Sequence, residues 1–429
     1  MTRLRLIAST LCLALLAGTA ACGDDGDTAD GPVELTFWSW TPSIEKVVDQ
    51  WNAANPGTKV TFSKQAGGDD LLTKVLTAAK AGEAPDLVQA EYQVLPTLVS
   101  NNVLADISRY VGDAKSRFAE GVWGQVTLGG SQVYAVPQDS GPMMLYYRGD
   151  LFQRYGLSVP ETWDEFAATA TALRAKDPSK YLTTFSSNDP GWFTGLVQQA
   201  GGRWWGIDGD TWSVTIDDAA TTKVANYWGD LVGRGAIDNR PMYTPEWNKA
   251  LNDGTLLAWP SAIWAPGVLT GNAPDTKGKW SMAPLPQWTA GENRTGNWGG
   301  SSTGVTRDSK HKEAATKFAV WMNTDAAATT TLVRESGIYP AARDAQNGPA
   351  LQQPPAFFPQ QTTFYADAKA IADTAAPFVW GPNVNVTYAT YKDAFGKAIS
   401  QKSPFGAAVG AMQEATVADM RKSGFKLAG

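Results

Sequence analysis

The stretch from Tyr134 to Gly156 reads YAVPQDSGPMMLYYRGDLFQRYG. It opens as a strand and breaks at Pro137. Polar Gln138, Asp139 and Ser140 follow, then a second break at Gly141-Pro142 and a second apolar run from Met143 to Tyr147. Asp150 is placed to cap a short helix over Leu151 to Tyr155, which stops at Gly156. A strand that leaves one sheet, carries a carboxylate across a gap and enters another sheet is what a crossing between two domains needs. The stretch reads as a hinge with a site residue, Asp139, on it.

Upstream of the hinge the pattern is strand, helix, strand, helix, strand. Val33 to Phe37 is the first strand. Ser43 caps a helix with Ile44, Val47, Val48 and Trp51 on one face. Lys59 to Phe62 is the next strand, and Asp70 caps a helix over Leu71 to Ala81 that Gly82 ends. Asp86 to Ala90 is the third strand. This alternation predicts a mostly parallel sheet, in which ligands sit beyond the carboxyl ends of the strands. Those ends carry Trp38, Ser39 and Trp40, and then Glu91 and Tyr92.

Downstream, Thr162 and Glu165 form a capping box ahead of a helix that runs to Lys176. Tyr181 to Phe185 reads as a strand, followed by the polar loop Ser186 to Gly191 and a helix opening near Trp192. Leu256 to Ile263 is an apolar run, read as a buried strand, that ends at Trp264. Asn297-Trp298-Gly299-Gly300 reads as a second crossing, its paired glycines letting the backbone bend or approach a ligand. Ala314 to Met322 is an amphipathic helix, and a third crossing is placed between Asn323 and Gly337. The C-terminal helices are interrupted by the loop from Phe378 to Asn383, which contains Trp380.

Composition sets the limits. The chain has 429 residues, enough for a large core and roughly two to three domains. A net charge of −6 argues against a nucleic-acid binder. The single histidine, His311, leaves no set of His partners for a metal, and its neighbourhood reads as the exposed first turn of a helix. No cofactor and no metal are expected.

The N-terminus reads as an export signal over residues 1–21. Arg3 and Arg5 precede an apolar run from Leu6 to Ala17, then small residues and Cys22. A cysteine directly after small residues resembles a bacterial lipobox, in which that cysteine receives the lipid. Thr19 stands where that motif usually has Leu, and the competing reading is ordinary cleavage at the same place. Loss of residues 1–21 removes Cys12 and leaves a single cysteine, so no internal disulfide is expected. Acidic, Gly-rich GDDGDTADG comes after Cys22, and residues 22–32 read as a flexible tether.

The 18 Trp point to function. Trp40, Trp192, Trp264, Trp298 and Trp380 all follow a strand or sit in a Gly, Pro, Ser or Asn loop, whereas a core Trp normally lies on the inward face of a regular element. Any one of them is explained by packing; all five together suggest flat apolar surfaces facing a cleft. Sugars suit such a cleft, because one face of a pyranose is rich in C–H and its edge hydroxyls need carboxylates, amides and backbone groups.

The chain resembles the extracellular solute-binding proteins that serve carbohydrate ABC importers, the group that includes maltose-binding protein. The resemblance rests on FWSW at the first strand end, on PDLVQAEYQVLPTLVSNNVLADI from Pro85 to Ile107, and on Tyr134 to Leu157. It continues through SAIWAPGVL, NWGGSSTGV and FVWGP. It implies a periplasmic-binding-protein-like α/β fold of two lobes, each with a mostly parallel central sheet flanked by helices, joined by three crossings. Lobe 1 would hold residues 33–139 and 300–330, and lobe 2 residues 140–299 and 331–429. It also implies ligand contacts from Trp40, Glu91, Tyr92, Asp139, Trp264, Trp298 and Trp380. Trp192, Gly299, Gly300 and Asn383 join them as candidates from the loops they occupy. The partners implied are a carbohydrate and two membrane permease subunits, with a monomer held by a lipid at the extracellular face of the membrane.

The residues leave other readings open. A secreted glycoside hydrolase would need a carboxylate pair across a scissile bond, a role open to Glu91 and Asp139. The same fold binding a polyamine or a peptide would need acids clustered with aromatics. A sensor partner without transport is a further option. The Trp count favours a di- or oligosaccharide over a monosaccharide.

Overall fold

The computed structural model describes residues 32–428. The export signal, Cys22 and the tether as far as Gly31 lie outside the described residues. The strands are β1 (Val33–Ser39), β2 (Thr58–Lys64), β3 (Leu87–Glu91), β4 (Ala135–Pro137), β5 (Met143–Arg148), β6 (Trp205–Asp208), β7 (Thr211–Val214), β8 (Ala258–Ala262), β9 (Trp280–Ala283), β10 (Ser301–Val305) and β11 (Lys426–Leu427). They form a five-stranded sheet ordered β2-β1-β3-β10-β4, a three-stranded sheet ordered β8-β5-β9, and a small sheet ordered β11-β7-β6. The first two are the central sheets of two α/β lobes.

Strand direction records how each strand arrives. β1 is parallel to both β2 and β3, which are linked to it through helices in the same lobe. β10 is antiparallel to β3 and β4, and β5 is antiparallel to β8 and β9. These two reversed strands are the ones that come in from the opposite lobe. A strand entering from outside is not held to the direction that a local helical crossover imposes. The expected mostly parallel sheet is therefore found around β1, while the second central sheet pairs through antiparallel ladders. The strand expected at Tyr181 to Phe185 is reduced to isolated bridges from Tyr181 to Leu256 and from Thr184 to Asp238.

Local chemistry sets the helices. In Glu45–Ala54 the residues Val47, Val48 and Trp51 are buried on one face, with Ile44 just ahead of the first turn. Ser43 makes no side-chain cap and takes a positive φ of 57° instead. Asp69–Ala81 ends at Gly82 in the left-handed conformation. Trp163–Lys176 begins with the full capping box of Thr162 and Glu165. Asp150 lies in the first turn of Gly149–Tyr155 and pairs with Arg148 at 2.7 Å.

Each lobe has an aromatic core. In the first, Phe37 of β1 meets Phe318, and Trp51 meets Phe318 and Trp321. In the second, Trp228 sits among Trp163, Phe166, Phe185 and Trp192.

The crossings lie side by side. Pro142 bridges Asn297, and Asp139 bridges Pro340. The Gln138 and Asp139 N–H groups donate to the Ser301 carbonyl, and the Ala341 N–H donates to the Gln138 carbonyl. Gly141 is required here: a Cβ on it would stand 2.2 Å from the Trp298 carbonyl oxygen. The third segment is placed later than the sequence suggests. Most of residues 323–337 is helical: Asp325 caps Ala326–Thr331, which packs on Lys312–Thr324 and Glu45–Ala54 of the first lobe and continues into Leu332–Ser336. Arg343–Gln346 also packs on Ala326–Thr331, so residues beyond 331 still contact the first lobe. The chain meets the second lobe again at Phe357, whose carbonyl accepts from the Gly278 N–H.

Candidate functional site

A cleft of about 580 Å³ opens between the lobes. The first lobe lines it from the ends of its strands, with Trp40 just past β1, Glu91 closing β3, and Asp139 just past β4. The second lobe adds Trp264, just past β8, and Asp189 ahead of the helix Pro190–Gln199. Trp298, Gly299 and Gly300 come from the second crossing, and Trp380 from the late loop.

The first-lobe wall rests on a buried polar chain. Ser39 Oγ donates to Gln89 Oε1 at 2.6 Å, and Thr41 Oγ1 donates to the same oxygen at 2.9 Å. Gln89 Nε2 donates to Ser301 Oγ at 2.9 Å. Ser301 in turn donates to Asp139 Oδ1 from its N–H at 2.5 Å and from its hydroxyl at 2.7 Å. The chain thus runs from the end of β1 to the carboxylate on the hinge. Burial pushes the Asp139 carboxyl up to about 6, against the pull of the Ser301 hydrogen bonds.

The second-lobe wall is aromatic. Trp264 and Trp298 meet edge to face with ring centroids 4.5 Å apart. The Trp264 indole N–H donates to the Trp298 carbonyl at 3.0 Å. Trp259 stands behind both rings, at 5.9 Å and 6.0 Å, and Trp247 stands behind Trp259 at 5.1 Å. Asp189 is set into this wall. It caps its helix by accepting from the Trp192 N–H at 3.0 Å, and it also accepts from Trp298. Burial pushes its carboxyl up to about 6, opposed by those bonds and by the Lys392 charge.

Eight of the expected site residues line the cleft: Trp40, Glu91, Asp139, Trp264, Trp298, Gly299, Gly300 and Trp380. Three do not. Trp192 has no exposed surface; its indole N–H donates to the Pro260 carbonyl at 2.9 Å and its ring packs on Trp228 at 4.9 Å. Pro190 and Gly191 already belong to the helix, so Trp192 lies on a regular inward face and not in a loop. Asn383 is buried and donates to the Thr416 carbonyl at 3.0 Å, tying together the helices Val384–Gln401 and Gly406–Lys422. Tyr92 lies beneath the wall, and its hydroxyl donates to the Asp139 carbonyl at 2.9 Å. Burial, and then the Asp139 charge, raise the Tyr92 hydroxyl well above the ordinary tyrosine range. Gly300, at φ 99°, leaves room for the Tyr92 ring, which a Cβ would approach to 2.9 Å.

The sequence reading missed Asp189, Tyr388 and Lys392, all in the cleft wall. Asp189 reads as one more polar residue of the loop Ser186 to Gly191, whereas it caps the helix Pro190–Gln199 and faces the cleft. Val384, Tyr388 and Lys392 recur every four residues just after Trp380 and all line the cleft, a spacing that marks one helix face.

Among the described residues no group of three or more His, Cys, Asp and Glu is placed to hold a metal ion. No helix among them is long and apolar enough to cross a membrane.

The chain belongs to the bacterial extracellular solute-binding protein family, whose model matches residues 38–329. The arabinooligosaccharide-binding protein of Halalkalibacterium halodurans is 25% identical over 347 residues, covering 78% of this chain and 77% of that one. The lactose-binding protein of Rhizobium radiobacter is 28% identical over 387 residues, covering 84% and 86%. A solved structure of similar form is the galacto-N-biose-/lacto-N-biose I-binding protein of the ABC transporter from Bifidobacterium longum, in complex with lacto-N-biose. It has a TM-score of 0.83 and 27% identity, and the match covers 94% of this chain and 100% of that one. The family consists of solute-binding proteins of ABC importers and not of enzymes, which sets aside the glycoside hydrolase reading.

Proposed function

We propose that this protein captures a di- or oligosaccharide between its lobes and delivers it to the permease subunits of an ABC importer. The observation that carries this reading is the composition of the cleft. Trp40, Trp264 and Trp380, all half-buried, offer apolar faces, with Trp298 buried behind them at the cleft wall, while Glu91, Asp139 and Asp189 offer acceptors. That pairing matches the C–H faces and hydroxyl edges of a sugar. The acids act as hydrogen-bond acceptors and not as catalysts. Ligand contacts to both walls favour the closed arrangement of the lobes, by bending at the side-by-side crossings.

The same proposal makes Trp264 a stacking surface, Trp298 the buried ring that supports it, and Tyr92 the residue that positions Asp139. Cys22 carries the lipid that holds a monomer at the extracellular face of the membrane. The support for the anchor is the basic, apolar and small-residue order ahead of Cys22 and the acidic tether after it. The test is tryptophan fluorescence of the mature protein titrated with arabino-oligosaccharides, β-galactosides, maltodextrins, polyamines and short peptides. A saturable change with one saccharide class is expected. Saturation with a polyamine or a peptide, and silence with every sugar, would overturn the carbohydrate reading.

A further inference from the structure

Resting on the sugar-binding reading above, we propose that the ligand is longer than a disaccharide and runs from the main cleft into a second groove beside it. That groove has a volume of about 410 Å³. It shares Gly267, Gly337 and Ile338 with the main cleft, so the two lie side by side. Both glycines are exposed, and a Cβ on either would meet nothing within 4 Å, so neither crowds the place where cleft and groove meet. Each volume lies within the range of about 300–1,000 Å³ usual for a small-molecule pocket.

The junction is built from both lobes. On one side runs Leu332–Ser336, a π-helical turn, with Ser336 on the main cleft and Arg334 on the second groove. Such wide turns recur at functional sites. On the other side is the first turn of the helix Ala265–Asn272, directly after Trp264. A chain passing through the junction is therefore held between the same two bodies that hold its first rings.

The lining chemistry differs from that of the main cleft. No carboxylate lines the second groove. Tyr365 and Pro355, both half-buried, present flat apolar faces, while Arg334, Thr270 and Gln353 present hydrogen-bonding groups. This combination suits further uncharged, hydroxyl-rich units. The carboxylates of the main cleft fix one end of the ligand, and the carboxylate-free groove takes the units beyond it.

The test is calorimetric titration of the mature protein with two series, arabino-oligosaccharides and β-galacto-oligosaccharides, from disaccharide to pentasaccharide. In the series that binds, the tetrasaccharide is expected to bind about tenfold more tightly than the disaccharide. Arg334→Ala with Tyr365→Ala is expected to erase that gain and to leave the disaccharide affinity in place. Gly267→Gln, which places a side chain where cleft and groove meet, is expected to lower the ratio of tetrasaccharide to disaccharide affinity by a similar factor; this variant keeps the test valid if the Tyr365 change disturbs folding. A disaccharide that binds as tightly as every longer chain would overturn the extension and leave the sugar reading standing. A failure of every member of both series, and of the maltodextrins, would overturn the sugar reading and the extension with it.

Discussion

The two walls of the cleft are built on different principles. The first-lobe wall is a relay of hydrogen bonds at the ends of strands, from Ser39 and Thr41 through Gln89 and Ser301 to Asp139. The second-lobe wall is a nest of indole rings, with Trp264 and Trp298 in front and Trp259 and Trp247 behind. A relay fixes direction, because each hydrogen bond holds its partner in one orientation. A ring nest supplies area and rigidity with little directional demand. The comparison suggests a division of labour: the first lobe decides which hydroxyls are read, and the second supplies most of the binding energy.

The largest expected effect separates core from site. Trp192→Ala should destabilise the fold by about 3–5 kcal/mol, as for other buried aromatics, measured by urea unfolding. Trp192→Phe, which keeps most of the packing, should leave sugar affinity within about threefold. A large loss of affinity in a stably folded Trp192→Phe would put this ring back in the site.

Next in size, Trp264→Ala should weaken saccharide binding about 100-fold in calorimetry, the scale of an aromatic hot spot. It is half-buried, so its effect on stability should be smaller than that of Trp192→Ala. If Trp264→Ala instead unfolds the protein and leaves affinity unchanged in the folded fraction, the front ring is packing and the division between the walls fails.

A smaller effect sharpens the polar side. Gln89→Leu removes the acceptor of Ser39 and Thr41 and the donor to Ser301. Leaving those groups buried without partners should cost about 1–3 kcal/mol of stability. It should also loosen Asp139 and weaken binding severalfold. Unchanged affinity would show that the relay holds up the fold without orienting the site.

The smallest expected effect is with pH. Asp139 and Asp189 both sit near 6, so both gain protons as pH falls from about 7.5 to about 5. A protonated carboxyl accepts hydrogen bonds less well, so saccharide affinity should fall about twofold over that interval. Folding responds with the opposite sign. The folded-state values lie above the ordinary 3.8, so between about 4 and about 6 the folded chain holds more protons than the unfolded chain. These two groups therefore favour folding as pH falls through that window and disfavour it as pH rises. Affinity that is flat with pH would place both carboxylates away from the ligand.

The hinge is legible in the sequence because Pro137 and Gly141-Pro142 bracket a polar gap between two apolar runs, and β4 and β5 occupy those two runs. The strand ends are legible for the same reason: Trp40 and Glu91 come at the ends of clear strands. Trp192 misleads because Asp189 starts the helix earlier than the loop composition suggests. Asn383 misleads because its partners, Thr416 and Asp419, lie more than thirty residues away, and one-dimensional spacing does not show such pairings. The third crossing is misplaced by sequence alone because the Ala- and Thr-rich run from Ala326 to Thr331 has no strong apolar period, and only packing on the first lobe fixes it as a helix. Ladder direction in the second sheet is not legible either, since it depends on which lobe a strand comes from and not on its own residues.

The central claim is that one saccharide is gripped by both walls at once. Its most direct test is a calorimetric double-mutant cycle with the best-binding saccharide, using Glu91→Gln on the polar wall and Trp264→Ala on the aromatic wall. The account predicts that each single variant weakens binding of that saccharide and that the double variant loses at least as much as the larger single loss, with stability little changed by Glu91→Gln. Full affinity in either single variant would mean that one wall does not touch the ligand, and would contradict the account.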